Sequence, residues 1–315
     1  MDLKPYLNRT FSGFKAEDFP AGTKIYMGKV RDIITPDGKL LITTSDRVSA
    51  FDRVLSTIPC KGELLNRMAL FWFDETADII PNHIIRRVTA RTVLVKQCKV
   101  LPVEVIVRGY LTGSAWRDYE KGRPVSGIRL PEGLKRDQKF EKPLLTPSTK
   151  AEIGLHDEPI SREEILNRKL VPADVWEKVE AAAFALFARG TQTAARNGLI
   201  LVDTKYEFGI DVDGNVVLVD EVHTPDSSRY WYADTYEMYF EQGKDQRKVD
   251  KEFLRQWLME RGFSGNGEAP SIPDDVRLEL AQKYINAFET VTGIPFVPES
   301  LPPEEELKAV LAELS

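Results

Sequence analysis

The sequence predicts an α+β protein, and three observations carry that reading. The first hundred residues alternate short β-rich runs with turn signals. A long helical stretch over residues 172–198 leads into a hairpin over 199–221. Helical segments near 249–261 and 274–292 then follow, so strands and helices are grouped instead of alternating.

Residues 24–46, KIYMGKVRDIITPDGKLLITTSD, form a meander in this reading. Pro-Asp-Gly at 36–38 turns between two apolar runs, and Met27-Gly28-Lys29 makes an earlier, tighter turn. Residues 62–76 carry apolar side chains at helical spacing. Two more strands lie in RTVLVKQC and VLPVEVIVRGYL, the second apolar enough to be buried on both faces. Residues 117–160 are rich in Gly, Pro and charge and read as a long loop, functional or mobile. Pro172 starts the next helix and Gly198 stops it. The tail after residue 295 begins Pro-rich and ends as an amphipathic acidic helix packed on its own domain.

Composition bounds the function. With 315 residues, 42% hydrophobic and 29% charged, the chain has room for two domains and sizeable cores. A net charge of −6 advertises neither nucleic acid nor an anionic membrane as partner, so any anionic substrate must be met by positive charge gathered locally. Cys60 and Cys98 stand in no metal or redox spacing and suit a reducing compartment. MDLKPYLNRTF lacks the apolar core of a signal peptide, and no run approaches the ~20 apolar residues of a membrane span. A cytoplasmic protein is expected. Three histidines, His83, His156 and His223, argue against a histidine zinc site.

The hairpin LILVDTKYEFGIDVDGNVVLVDEVHT carries the chemistry. Asp203, Lys205 and Glu207 alternate and share one face of the first strand. A two-residue turn at Asp213-Gly214 puts Glu207 opposite Asp220, and so does a four-residue loop. A three-residue loop puts Glu207 opposite Glu221, and the apolar pattern does not choose among these. Facing carboxylates destabilise a sheet unless a proton or a cation is shared, and magnesium is the natural cation for one or two carboxylates plus phosphates. TPDSSR follows, with hydroxyls, turn amides and Arg229, the usual means of holding phosphate or carboxylate. RGYLTGSAW repeats this logic: a buried strand ends on Arg108 and turns through Gly113 and Ser114.

Other stretches stay two-sided. GKVRD is either an ordinary turn or a glycine turn over phosphate, with Lys29 or Arg31 as neutralising cation; it is not a Walker A loop. SDRVSAFDRV is either a helix start capped by Ser45 or Asp46, or a polar loop facing a second substrate. In TPSTKAEIGLHDEPIS, His156 reads as exposed or locally paired.

Six motifs in order, GKVRD, SDRVSAFD, LPVEVIVRGYLTGS, TPSTKAEIGLHDEPIS, VDTKYEFG and DEVHTPDSSRYW, resemble the phosphoribosylaminoimidazole-succinocarboxamide synthase (SAICAR synthetase) family over about Tyr26–Trp257. The resemblance implies a β-rich, kinase-small-lobe-like domain over residues 1–101 and an ATP-grasp-like α+β domain with the C-terminal helices over 102–315, with ATP in the cleft between them. It implies a ligase joining carboxyaminoimidazole ribotide to L-aspartate, with Mg²⁺ as cofactor and ATP going to ADP and phosphate through an acyl phosphate. On that pattern Gly28, Lys29, Val30 and Arg31 cover the triphosphate. Lys99 to Leu101 form the hinge beside adenine, with Glu104 following. Glu207 and Asp220 are the magnesium ligands. Arg108, Ser114 and Arg229 grip the ribotide phosphate and carboxylate. Asp203 and Lys205 stand beside the imidazole and the reacting phosphate, and Asp226 is a further site acid. Ser45, Asp46, Arg47 and Ser49 are expected near aspartate. No protein partner is implied. A small-molecule kinase is the competing enzyme reading, and a non-catalytic nucleotide-sensing protein the competing class.

Overall fold

The opening meander folds as the turn chemistry requires. In the computed structural model, which describes residues 1–36, 38–51, 53–150, 158–249 and 252–314, strands β1 (Lys24–Met27), β2 (Arg31–Thr35) and β3 (Lys39–Thr44) pair antiparallel. Gly28 N donates to Arg31 O at 2.8 Å and closes the first turn. Strands β4 (Arg47–Ala50) and β5 (Arg53–Thr57) pair antiparallel, where capping chemistry had allowed a helix start. The reason is period-two burial: Val48 and Ala50 point inward while Arg47 and Ser49 are half-buried. Helix α1 (Lys61–Glu75) and strands β6 (Ile84–Arg87) and β7 (Thr92–Lys96) follow. The resulting antiparallel sheet has the order β1-β2-β3-β7-β6.

The next elements are β8 (Lys99–Val100), β9 (Val103–Tyr110), α2 (Gly113–Glu120), β10 (Lys139–Leu145), β11 (Ser148–Thr149), α3 (Arg162–Asn167), α4 (Ala173–Arg196), β12 (Leu199–Ile210), β13 (Val216–Val219), β14 (Ser228–Tyr232) and α5 (Ala233–Glu241). The expected loop over 117–160 thus contains a strand: β10 pairs with β9. Its sequence, KFEKPLL, hides the period because most of it lies exposed at the sheet edge. In the larger sheet β12 is central. It meets β9 and β8 along one edge and β14 and β13 along the other. Helix α4 covers this sheet with Trp176, Val179, Leu186 and Phe187. Each such burial contributes about 1.5–3 kcal/mol.

Helices α6 (Glu252–Met259), α7 (Asp274–Thr292) and α8 (Pro303–Ala312) end the chain. Two compact units result: Met1–Phe71 with His83–Gln97 and Asp250–Ser315, and Trp72–Asn82 with Cys98–Val249. A single cut near residue 101 therefore does not describe the chain, because the C-terminal helices are built into the first unit. Val310 of α8 joins Phe11, Phe14, Phe19, Ile34, Leu41 and Leu94 in one apolar cluster. Glu306, fully buried, accepts hydrogen bonds from Thr89 Oγ1 at 2.5 Å and Thr92 Oγ1 at 2.6 Å. Arg277 of α7 donates to Thr57 O at 2.8 Å. No helix among the described residues is long and apolar enough to cross a membrane.

Candidate active site

Strand β12 carries the site because three neighbours are laid against it in register. Asp203 is directly opposite Arg108 of β9 on one side and Arg229 of β14 on the other. Both guanidiniums reach the same oxygen: Asp203 Oδ2 accepts from Arg108 Nη1 at 3.1 Å and from Arg229 Nη1 at 3.0 Å. Arg108 also donates from Nε to Thr146 Oγ1 at 2.8 Å and from Nη2 to Ser114 Oγ at 3.1 Å. Burial pulls the Arg108 pKa down, against the pull of Asp203. Gly113 makes the approach of Arg229 possible. A Cβ there would lie 2.1 Å from Arg229 Nη1, and its φ of +60° is left-handed.

Two residues further along, the chemistry inverts. Lys205 Nζ donates to Glu104 Oε1 at 2.6 Å and to Glu207 Oε1 at 3.2 Å. Lys150 closes a second ion pair on Glu207 Oε2. Burial opposes the charge on Lys205, but Glu207, Glu104 and Asp220 more than offset it, so the lysine pKa lies above its ordinary value. Ser148 Oγ donates to the other Glu104 oxygen at 3.3 Å.

The hairpin register differs from every loop length considered from the sequence. Glu207 faces Val219, and the turn is residues 211–215. The Asp211 carboxylate accepts from Asp213 N at 3.0 Å and Asn215 N at 2.9 Å, which stabilises the longer turn. On the β13 side, therefore, a valine and not a carboxylate sits directly across from Glu207. Asp220 follows Val219 and leaves the strand with a φ of 69°. The two acids still share Lys205 as a neighbour. Both present hard oxygen donors, and Glu207 with Asp220 is the pair that could hold a divalent cation. Among the described residues no group of three or more His, Cys, Asp or Glu forms a ready cation cage.

The turn from Asp220 to Ser227 is held by its own polar groups. Ser228 N and Ser227 N donate to Thr224 O at 2.9 and 3.1 Å, and Lys205 N donates to Ser227 O at 3.0 Å. Thr204 and Ser228 hydroxyls share a hydrogen bond of 2.8 Å. His223 is fully buried beneath it, with Nε2 2.6 Å from Tyr206 Oη and its ring edge-on to Trp72. Burial pushes its pKa down to about 3. Gly190 of α4 gives the ring its space, since a Cβ there would lie 2.4 Å from His223 Cε1. Asp226 is half-buried in the same turn.

Expected nucleotide contacts divide between the units. Gly28, exposed Lys29, Val30 and Arg31 form the turn between β1 and β2 in the first unit. Lys99 is exposed on β8 in the second, and Leu101 N is spent on Phe208 O at 2.8 Å. Glu104, expected beside them, accepts from Lys205 Nζ at 2.6 Å. Of the residues expected near aspartate, three use their polar atoms inside the first unit. Asp46 accepts from Phe11 N at 2.7 Å and Gly62 N at 2.8 Å. Ser45 Oγ donates to Val30 O at 2.8 Å, and Arg47 pairs with Asp32 at 2.6 Å. Ser49 is half-buried on β4. His156 lies outside the described residues. Sequence reasoning assigned no role to Lys150 or Thr146; the signal was a lysine among hydroxyls in TPSTK, just after an apolar pair.

The family model described as SAICAR synthetase matches residues 24–271. A phosphoribosylaminoimidazole-succinocarboxamide synthase of Bacteroides thetaiotaomicron is 48% identical over 287 residues, covering 90% of this chain and 91% of that one. A Legionella pneumophila protein of the same name is 45% identical, covering 90% and 92%. The SAICAR synthase of Saccharomyces cerevisiae, solved with SAICAR, superposes with a TM-score of 0.79 at 37% identity, over 88% of this chain and 98% of that one. A type-2 SAICAR synthetase in complex with ADP gives 0.67 at 25% identity, over 87% and 100%. The chain belongs to the SAICAR synthetase family, the ligases of this step of purine biosynthesis.

Proposed function

We propose that the β12 face joins the carboxylate of carboxyaminoimidazole ribotide to the amine of L-aspartate, driven by ATP. The observation that carries this is the ordered change of charge along one strand face: paired arginines at Asp203, then lysine and carboxylates at Lys205 and Glu207. An anionic substrate and a metal-bound triphosphate need those two environments side by side. The SAICAR complex of the yeast protein and the ADP complex of the type-2 enzyme support the same pair of ligands.

A carboxylate is a poor electrophile. The γ-phosphoryl group of ATP passes to the ribotide carboxylate, giving an acyl phosphate and ADP. The aspartate amine attacks that carbonyl, the C–O bond to phosphate breaks, and inorganic phosphate and the amine proton are released. Arg108, Ser114 and Arg229 hold the ribotide anion, and Asp203 keeps the two guanidiniums aligned. Lys205, set by Glu104, meets the charge of the transferred phosphoryl group. Asp226 completes the polar rim. Val30 and the amides of Gly28–Arg31, with the Lys29 and Arg31 side chains, meet the triphosphate, and Lys99 to Leu101 the adenine. Ser49 is the remaining aspartate contact of the four expected.

Glu207 and Asp220 fit Mg²⁺, which takes one or two carboxylates and completes its shell with phosphates and water. Bound there, it neutralises phosphate oxygens. The five-stranded sheet with its glycine turn supports the kinase-small-lobe reading, and the β9-β12-β13 sheet the ATP-grasp reading.

The test is ADP release with Mg-ATP and the carboxylated ribotide, with and without L-aspartate. SAICAR and ADP forming only with aspartate, and falling about 10²–10³-fold in Asp220→Asn, is the expected result. Aspartate-independent ADP with a stable phosphorylated acceptor would establish a kinase instead.

A further inference from the structure

The turn between β1 and β2 is held from behind by Arg47 and Ser45. Arg47 Nη2 donates to Gly28 O at 2.9 Å and Arg47 Nε to Lys29 O at 3.1 Å. Ser45 takes the next carbonyl: its N and its Oγ each donate to Val30 O at 2.8 Å. Gly28 N takes the one after, Arg31 O, also at 2.8 Å. The three successive carbonyls of Gly28, Lys29 and Val30 are thus drawn to the side of Arg47 and Ser45. In a trans peptide the N–H points opposite to the preceding C=O. With the carbonyls of Gly28 and Lys29 turned toward Arg47, the N–H groups of Lys29 and Val30 face the other way. Successive amides presented on one side of a turn make an anion-binding concavity.

Arg47 is itself fixed by two further partners. Asp32, whose side chain is fully buried, accepts from Arg47 Nη2 at 2.6 Å, and its second oxygen accepts from Phe14 N at 2.8 Å. Arg47 Nη1 donates to Ser12 O at 2.8 Å. Gly13, with a φ of +104°, leaves the room: a Cβ there would lie 1.9 Å from Arg47 Nη1. Only a planar fork with five donors can serve two turn carbonyls, Ser12 and Asp32 together, and lysine cannot.

We propose that Arg47, assisted by Ser45, is a positioning residue for the nucleotide: it imposes the amide-presenting shape of the Gly28–Arg31 turn and does not contact aspartate. The proposal rests on the reading of GKVRD as the triphosphate turn, and the experiment separates the two.

Mg-ADP binding to the full chain is measured by calorimetry for wild type, Arg47→Lys, Ser45→Ala and Lys29→Ala, together with amide hydrogen exchange over residues 27–31 and the KM values of ATP and aspartate. Arg47→Lys is expected to weaken ADP about tenfold, to speed exchange in the turn and to leave the aspartate KM unchanged. Lys29→Ala weakening ADP while Arg47→Lys leaves it at the wild-type value overturns the proposal but keeps the triphosphate turn. Unchanged ADP affinity in both variants removes the triphosphate reading, and the proposal with it. A raised aspartate KM with normal ADP binding makes Arg47 a substrate contact and overturns the proposal. A fall in Tm alone, with ADP affinity and exchange unchanged, reduces Arg47 to a fold contact and overturns it too. If Arg47→Lys does not fold, Ser45→Ala, which keeps the Ser45 N–H bond to Val30, decides by the same readouts with a smaller shift.

Discussion

The two ends of the β12 site differ in what they leave over. At Asp203, two arginines share one carboxylate, so positive charge is in excess. At Lys205, three carboxylates, Glu104, Glu207 and Asp220, surround that lysine, with Lys150 as the second cation. The first end is finished toward the protein and short of an anion. The second is short of a cation. A strand with strict alternation can build both because the faces repeat every second residue, and only the identity of residues 203, 205 and 207 changes. Residue types alone do not separate the two ends; the balance of charged partners around each does.

Lys205→Ala tests the acid-rich end and carries the largest expected effect. With the lysine gone, Glu104 and Glu207 face each other without their shared cation, and phosphoryl transfer loses its fixed charge. A drop in kcat of about 10²–10³-fold is expected in steady-state assays, with ribotide KM changed far less. An equal loss in KM would mean that the two ends are not separable.

Arg108→Lys tests the arginine end. The ammonium cannot serve Asp203, Thr146 and Ser114 at once. Ribotide KM should rise about 10- to 100-fold, the worth of one or two charge-assisted hydrogen bonds, with ADP affinity intact. Arg229→Lys should cost less, because Arg229 is the more exposed of the two. A reversed order would show that the buried arginine is structural.

Gly113→Ala sharpens the same end without touching a charge. The new Cβ meets the Arg229 guanidinium, and a left-handed φ costs a further ~1–3 kcal/mol for a non-glycine residue. Thermal unfolding should register the loss. Ribotide binding should weaken while Lys205-dependent phosphoryl transfer persists at saturation.

The turn that joins the two ends predicts a pH effect. His223 titrates near 3 when folded and near its ordinary value when unfolded. The unfolded chain therefore binds the extra proton between about pH 6.5 and 3, and stability falls as pH drops through that window. The slope approaches about 1.4 kcal/mol per pH unit, and it should be absent in His223→Gln. A Tm versus pH series on both proteins checks this; parallel curves would remove His223 as the cause.

Much of this was legible in the residues. Helix α7 occupies Asp274–Thr292, the span that the sequence reading gave. The Asp203-Lys205-Glu207 alternation was visible because side-chain direction in a strand depends on parity alone. Register was not, since it turned on whether the Asp211 side chain would cap a longer turn. SDRVSAFD shows a related limit. Its serine, aspartate and arginine looked like groups waiting for a ligand, yet each finds backbone partners from segments distant in sequence, which no local pattern reports. β10 was hidden by edge exposure, which erases alternation.

The buried Glu306 has a consequence for how the protein is born. The hydroxyls that it accepts from, at Thr89 and Thr92, leave the ribosome long before α8 does. At about 5–20 residues per second, the N-terminal sheet waits on the order of 10–40 s for its last buried acceptor and for Val310. During that interval its core lies open, and the second unit, whose last residue is Val249, can close first. Nascent chains arrested before residue 303 should show a protease-sensitive first unit beside a resistant second one. Resistance in both would mean that α8 only seals a sheet already formed.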